Sequence, residues 1–183
     1  MDFQGFPKMP RLSRDIIITE KIDGTNGQIL ITPDHQFFVG SKNRWITLKA
    51  DNHGFARWAY AHQDELIAGL GEGRHYGEWW GSGIQRGYGL VKGEKRFSLF
   101  NVSRWTSTNI PSSCQVVPVM YQGEFNNPAT SQALQLLTAH GSLAAPGFMN
   151  PEGIVVFHTA ANICFKKTIK DDEIPKSLKE QQK

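Results

Sequence analysis

The sequence predicts an α+β fold built mainly from antiparallel strands. Many short β-branched or aromatic runs are separated by turn residues, two helical stretches are set among them, and no internal repeat or low-complexity linker interrupts them. With 39% hydrophobic and 20% charged residues, the composition is that of a globular chain. A chain of 183 residues can bury about 70% of its surface without disulfide or metal staples.

Each element has its own signal. Residues 15–20 (DIIITE) are β-branched and predict a strand, with Lys21 to Asn26 as a turn-like junction. Two more strands follow over 28–32 and 37–39, turned by Pro33-Asp34. Phe55, Trp58, Ala59, His62, Leu66, Ile67 and Leu70 recur at helical spacing and predict one helix over 52–70, stopped at Gly71. Strands are expected over 75–80, 97–102 and 115–121. Asn127-Pro128 opens a second helix, which Gly141 stops. Two strands over 153–157 and 163–166 close the pattern. The expected organisation is one domain over 1–170 and a charged tail over 171–183.

Composition narrows the function. No apolar run is long enough for a transmembrane helix, and the N-terminus lacks an apolar signal region. Two cysteines are too few for a disulfide scaffold, so a reducing cytoplasm is expected, and no membrane partner. The six histidines show no zinc-ligand spacing. A net charge of +3 permits an anionic partner without demanding one. Lys42, Arg44, Arg86, Lys92, Lys95 and Arg96 could track phosphates or be solvated surface charge. Asn101-Val102-Ser103 reads as a formal glycosylation sequon within a strand, and Cys164 as strand packing.

Five segments could carry chemistry. Glu20-Lys21-Ile22-Asp23-Gly24-Thr25-Asn26 places a lysine at a strand end before a polar turn. That is ordinary turn chemistry, or a rigid seat for a nucleophilic amine. Tyr76-Gly77-Glu78-Trp79-Trp80-Gly81 sets a carboxylate on an aromatic strand, to bind hydroxyls or to face solvent. In Arg96-Phe97-Ser98-Leu99-Phe100 the period of two puts Phe97 and Phe100 on opposite faces, one free to stack on a base and one to fill a core. Pro151-Glu152-Gly153 begins a buried strand with a carboxylate, and Phe165-Lys166-Lys167 ends the next strand with lysines.

In their order, these motifs resemble those of the covalent nucleotidyltransferases, the superfamily of ATP-dependent ligases and mRNA capping enzymes. The E-K-I-D-G-T-N string, S-K-N-R at Ser41–Arg44, and G-E-W-W-G with G-I-Q are similar to the RNA ligase 2 branch, especially its short phage-type members. The resemblance implies an ATP-grasp-like adenylation domain that uses ATP and Mg²⁺ or Mn²⁺. Its reaction would join RNA 5′-phosphate and 3′-hydroxyl ends through lysyl-AMP, in the host cytoplasm if the chain is phage-encoded. Carried over residue by residue, Lys21 is the nucleophile. Glu20 contacts adenine, with Ile22 beside it in the nucleotide site. Asn26 and Arg44 lie near the phosphate and ribose, Glu78 holds the ribose hydroxyls, and Phe97 stacks on adenine. Glu152 serves the metal and α-phosphate, and Lys166 neutralises that phosphate.

Two departures stand out. The superfamily's last motif has two lysines spaced two apart, whereas Cys164 and Thr168 share the face of Lys166 here, and Lys167 is its rival on the other face. Members of that superfamily also append a nucleic-acid-gripping domain, and only a short stretch follows Lys166, so an isolated adenylation domain is expected. A DNA ligase or a capping guanylyltransferase is the enzyme alternative. A non-catalytic binder of nucleic-acid ends is the alternative of another class. The sequence sets no oligomeric state.

Overall fold

The computed structural model describes residues 1–173. The last part of the expected tail, 174–183, lies outside the described residues. The strands form two sheets. One has the order β7-β1-β8-β9, from β1 (Asp15–Lys21), β7 (Val119–Glu124), β8 (Gly153–His158) and β9 (Ile163–Thr168). The other has the order β3-β2-β4-β5-β6, from β2 (Thr25–Ile31), β3 (Phe37–Gly40), β4 (Gly73–Gly81), β5 (Lys95–Leu99) and β6 (Cys114–Val116). Every pairing is antiparallel except the short parallel ladder of β5 with β6.

Helices cover one face of each sheet. α3 (Asn127–His140) packs Ala129, Ala133 and Leu137 on Ile16, Ile18, Ile154 and Val156. Asn126 caps it by accepting from the Ala129 amide at 2.8 Å, and Pro128 occupies its first turn. On the second sheet, α1 (Phe55–Ala61) and α2 (Gln63–Leu70) pack Phe55, Ala59, Leu66 and Leu70 on Ile29, Ile31, Trp79, Phe97 and Leu99. The predicted 52–70 helix is thus two helices. The break falls at His62, whose ring Nδ1 lies 2.8 Å from the Trp58 carbonyl.

The chain crosses between the sheets at two points. β1 ends in the first sheet at Lys21, and after Ile22, Asp23 and Gly24 the second sheet begins with β2. The predicted 115–121 strand breaks at Val117-Pro118: Val117 N–H still bonds Leu99 O in the second sheet, while the Pro118 carbonyl accepts from Glu20 N–H of the first. Proline has no amide to continue the ladder. A small third core of Ile22, Trp80, Tyr88, Val117 and Ala145 fills the space around both crossings. The predicted 97–102 strand ends at Leu99, so Asn101-Val102-Ser103 lies in a turn rather than a strand.

Candidate active site

The helix-free faces of the two sheets enclose a cavity of about 630 Å³. Its first wall follows from strand alternation. Lys21 sits across from Gly153 and Thr168, Thr19 from Val155 and Lys166, and Ile17 from Phe157 and Cys164. Cross-strand partners share a face, so Lys21 and Lys166 lie on the same face, two strands and two residues apart, about 12 Å between Cα atoms by strand spacing. Lys166 and Cys164 line the cavity on one face as alternation requires, whereas Thr168, at the strand end, turns its hydroxyl to Lys170 O at 2.9 Å and to Asp172 at 3.3 Å. Lys167 points to the other face, where its ammonium lies 3.4 Å from Asp172.

The opposite wall is built by Asn26 and Glu78, which are register partners, with Tyr76 and Phe100 beside them. Glu78 accepts from Gly24 N–H at 3.0 Å and from Asn26 Nδ2 at 3.1 Å. Burial nevertheless pushes its carboxyl up to about 7, against the pull of Lys21 and the Gly24 amide. Between the walls, Lys21 Nζ contacts Glu152 Oε2 at 2.5 Å, with the two side chains 22% and 11% exposed. The amine is thus sheltered, reachable, and paired with a group able to take its proton.

Two clamps fix this pair. Arg86 donates from Nε to Asp23 at 2.9 Å, and from Nη1 to the carbonyls of Asn150 and Pro151 at 3.0 and 3.2 Å. It ties the turn after Lys21 to the turn before Glu152. The Asp23 amide donates to Tyr88 Oη at 2.8 Å. The sequence left Arg86 between a phosphate-tracking and a solvated surface charge; its place between glycines in G-I-Q-R-G-Y was the available signal.

Of three expected nucleotide contacts, Glu20 lines the cavity, while Phe97 and Arg44 do not. Phe97 is fully buried under the helices, 4.9 Å from Phe55 between ring centroids, and does not reach the cavity. Gly27 and Gly77 make its seat: a Cβ on either would come within 3.0 Å of the Phe97 ring. Phe100, 40% exposed, is the aromatic of that segment on the cavity side. Glu20 turns to the loop after α3, where Ser142 Oγ, Leu143 N–H and Ala144 N–H donate to it at 2.6, 2.8 and 2.9 Å. Arg44 lies in an exposed turn and does not wall the cavity, although its neighbour Lys42 does. Ile22 is buried with Trp80 and Tyr88 at the cavity's base. Thr19, Val155, Phe157, Arg74 and Arg104 line the cavity without having been singled out; the parity of Lys21 along β1 was the available signal for Thr19.

The RNA ligase family model matches residues 14–170, most of the chain and all of this site. The chain belongs to the RNA ligase family. Among curated proteins none matches this sequence. Among solved structures, RNA ligase of Naegleria gruberi with pyrophosphate superimposes with a TM-score of 0.60 at 20% identity, over 93% of this chain and 52% of that one. A lysine-to-methionine variant of that ligase with AMP and Mn gives 0.58 at 19% identity, over 86% and 50%. A lysine-to-alanine variant with ATP and Mn gives 0.56 at 19% identity, over 85% and 50%. These likenesses show a shared fold, and the RNA ligase family chain described here spans about half the length of the Naegleria enzyme. No helix among the described residues is long and apolar enough to cross a membrane.

Proposed function

We propose that the chain is the adenylating part of an ATP-dependent RNA ligase, with Lys21 as the nucleophile. The observation that carries this reading is Lys21, which lines the cavity together with Lys166 on the same sheet face and is paired with the largely buried Glu152 at 2.5 Å. The Lys21 amine attacks the α-phosphorus of ATP. A nitrogen–phosphorus bond forms, the bond to pyrophosphate breaks, and Glu152 takes the proton. Lys166 offsets charge on the α-phosphate. Phe100 offers the base an aromatic face, and Glu78 the ribose an acceptor. An RNA 5′-phosphate oxygen then attacks the lysyl-AMP phosphorus and frees the amine. A 3′-hydroxyl attacks the activated 5′-phosphorus, sealing the strand and releasing AMP.

The residues fit a Mg²⁺ or Mn²⁺ held jointly with substrate. Such ions bind through one or two carboxylates plus phosphates. Among the described residues no group of three or more metal-ligating side chains forms a protein-only site, while Glu152 offers one carboxylate beside the amine. A divalent ion held by Glu152 and the substrate phosphates would supply charge neutralisation for the pyrophosphate leaving group.

Incubation with α-³²P-ATP and Mg²⁺ should leave an acid-stable label on the protein, and Lys21→Ala should abolish it. Lys21→Arg should be equally inactive, because a guanidinium stays protonated. A label that survives Lys21→Ala places the nucleophile elsewhere.

A further inference from the structure

The cavity face of the second sheet does not end at the cavity. Phe100 N–H bonds the Tyr76 carbonyl at 3.0 Å. Tyr76 pairs with Gln28, Gln28 with Gly40, and Gly40 bridges to Trp45. One line therefore crosses the sheet from Phe100 to Trp45, about 19 Å in four strand steps. Tyr76 and Trp45 on this line are 52% and 49% exposed, and Phe38 in the adjoining row is 38% exposed.

These rings are held rather than loose. The Arg74 guanidinium lies 5.3 Å from the Trp45 ring centroid and donates to Gln28 Oε1 at 2.6 Å. Phe38 braces Trp45 from another side at 5.7 Å. Gly40 has no side chain, and Gln28 fills that space and donates to Ser41 O at 3.0 Å. Exposed aromatic rings set along one sheet face mark an interaction surface. Arg74 lies against it, Lys42 and Arg44 belong to the exposed turn that leads into Trp45, and none of the three is in an ion pair among the described residues. Flat rings set among unpaired cations match a chain of bases and phosphates, and continuity with the cavity puts that chain's end beside Lys21.

We propose that this row, from Tyr76 across to Trp45 and Phe38, is a platform for single-stranded RNA running from the adenylation cavity to the β3 edge. Bases stack on Trp45 and Phe38, and Lys42 and Arg44 meet phosphates. The proposal rests on the reading of the cavity as the adenylation site for its choice of RNA.

The test uses the full chain and a 3′-fluorescein oligouridylate bearing a 5′-phosphate. Binding is followed by anisotropy, AMP transfer to the oligonucleotide by gel, and self-labelling with ATP in parallel. Trp45→Ala should weaken binding about 5- to 150-fold, the equivalent of one lost stacked base. AMP transfer should slow with it, and self-labelling should remain at the wild-type level. Trp45→Phe should recover most of the binding. Arg44→Ala should lower the slope of log affinity against log salt by about one. Wild-type affinity in Trp45→Ala overturns the proposal. Loss of self-labelling in parallel with binding also overturns it, because Trp45 then serves the fold or the nucleotide. Trp45-dependent self-association without RNA binding overturns it by giving the face to a second copy. If the wild type takes no label yet binds RNA through Trp45, the platform stands and the catalytic reading fails.

Discussion

Burial works against the charge of Glu78 while two donors and Lys21 work for it, and burial wins. A carboxyl lifted from 4.5 to about 7 keeps its proton in the folded state over a range where the unfolded chain has lost it. Stability therefore falls as pH rises through that range and levels off above it, by roughly 3 kcal/mol across the window. Glu78→Gln keeps an acceptor for Gly24 and removes the titration. Urea unfolding in metal-free buffer at pH 5 and pH 8 should show the variant gaining on the wild type at the higher pH. Parallel behaviour of the two proteins rules this out. The two phenylalanines make the second residue-scale contrast. Phe97→Ala removes a fully buried ring and should destabilise by about 3–5 kcal/mol. Phe100→Ala should leave the melting temperature nearly unchanged and raise the ATP concentration needed for self-labelling. The reverse pattern would return the base to Phe97.

At the scale of elements, alternation does the sorting. β9 offers Lys166 to the cavity and Lys167 to Asp172 on the far face. Lys166→Ala should slow single-turnover lysyl-AMP formation by about 10²–10³. Lys167→Ala should change it little, and Thr168→Lys should not speed it, because Thr168 is turned to Lys170 and Asp172 rather than into the cavity. Equal losses from the two alanines would remove the alternation argument. This pairing was legible because a period of two needs only sequence. The placement of Phe97 was not: the period divides Phe97 from Phe100, but which face the helices cover depends on Gly27 and Gly77, distant residues that make room for a ring. Arg86 was hidden for the same reason, since its partners Asp23 and Asn150 come together only in the fold. Pro118 was visible and marks the change of sheet, a boundary that β-propensity alone ran across. The break at His62 had neither glycine nor proline to announce it.

The whole molecule is two separately cored layers joined near one end. Each sheet packs its own helices, and the joint consists of the third core, the two chain crossings, the Glu20 anchor and the Arg86 clamp. The cavity opens between the layers, so its walls belong to different cores. Lys21 and Glu152 come from the first sheet's side, Glu78 and Phe100 from the second. A nucleotide bridging them would add contacts to both layers at once. At about a hundred times its dissociation constant it contributes about 2.7 kcal/mol. An ATP analogue with a methylene between the α- and β-phosphorus cannot release pyrophosphate and isolates this binding step. Hydrogen exchange in its presence should slow in β1 and β8 and, to a similar degree, in β4 and β5. Protection confined to one sheet would mean that the nucleotide sits on a single wall, and the assignment of the opposite wall's residues would fall with that result.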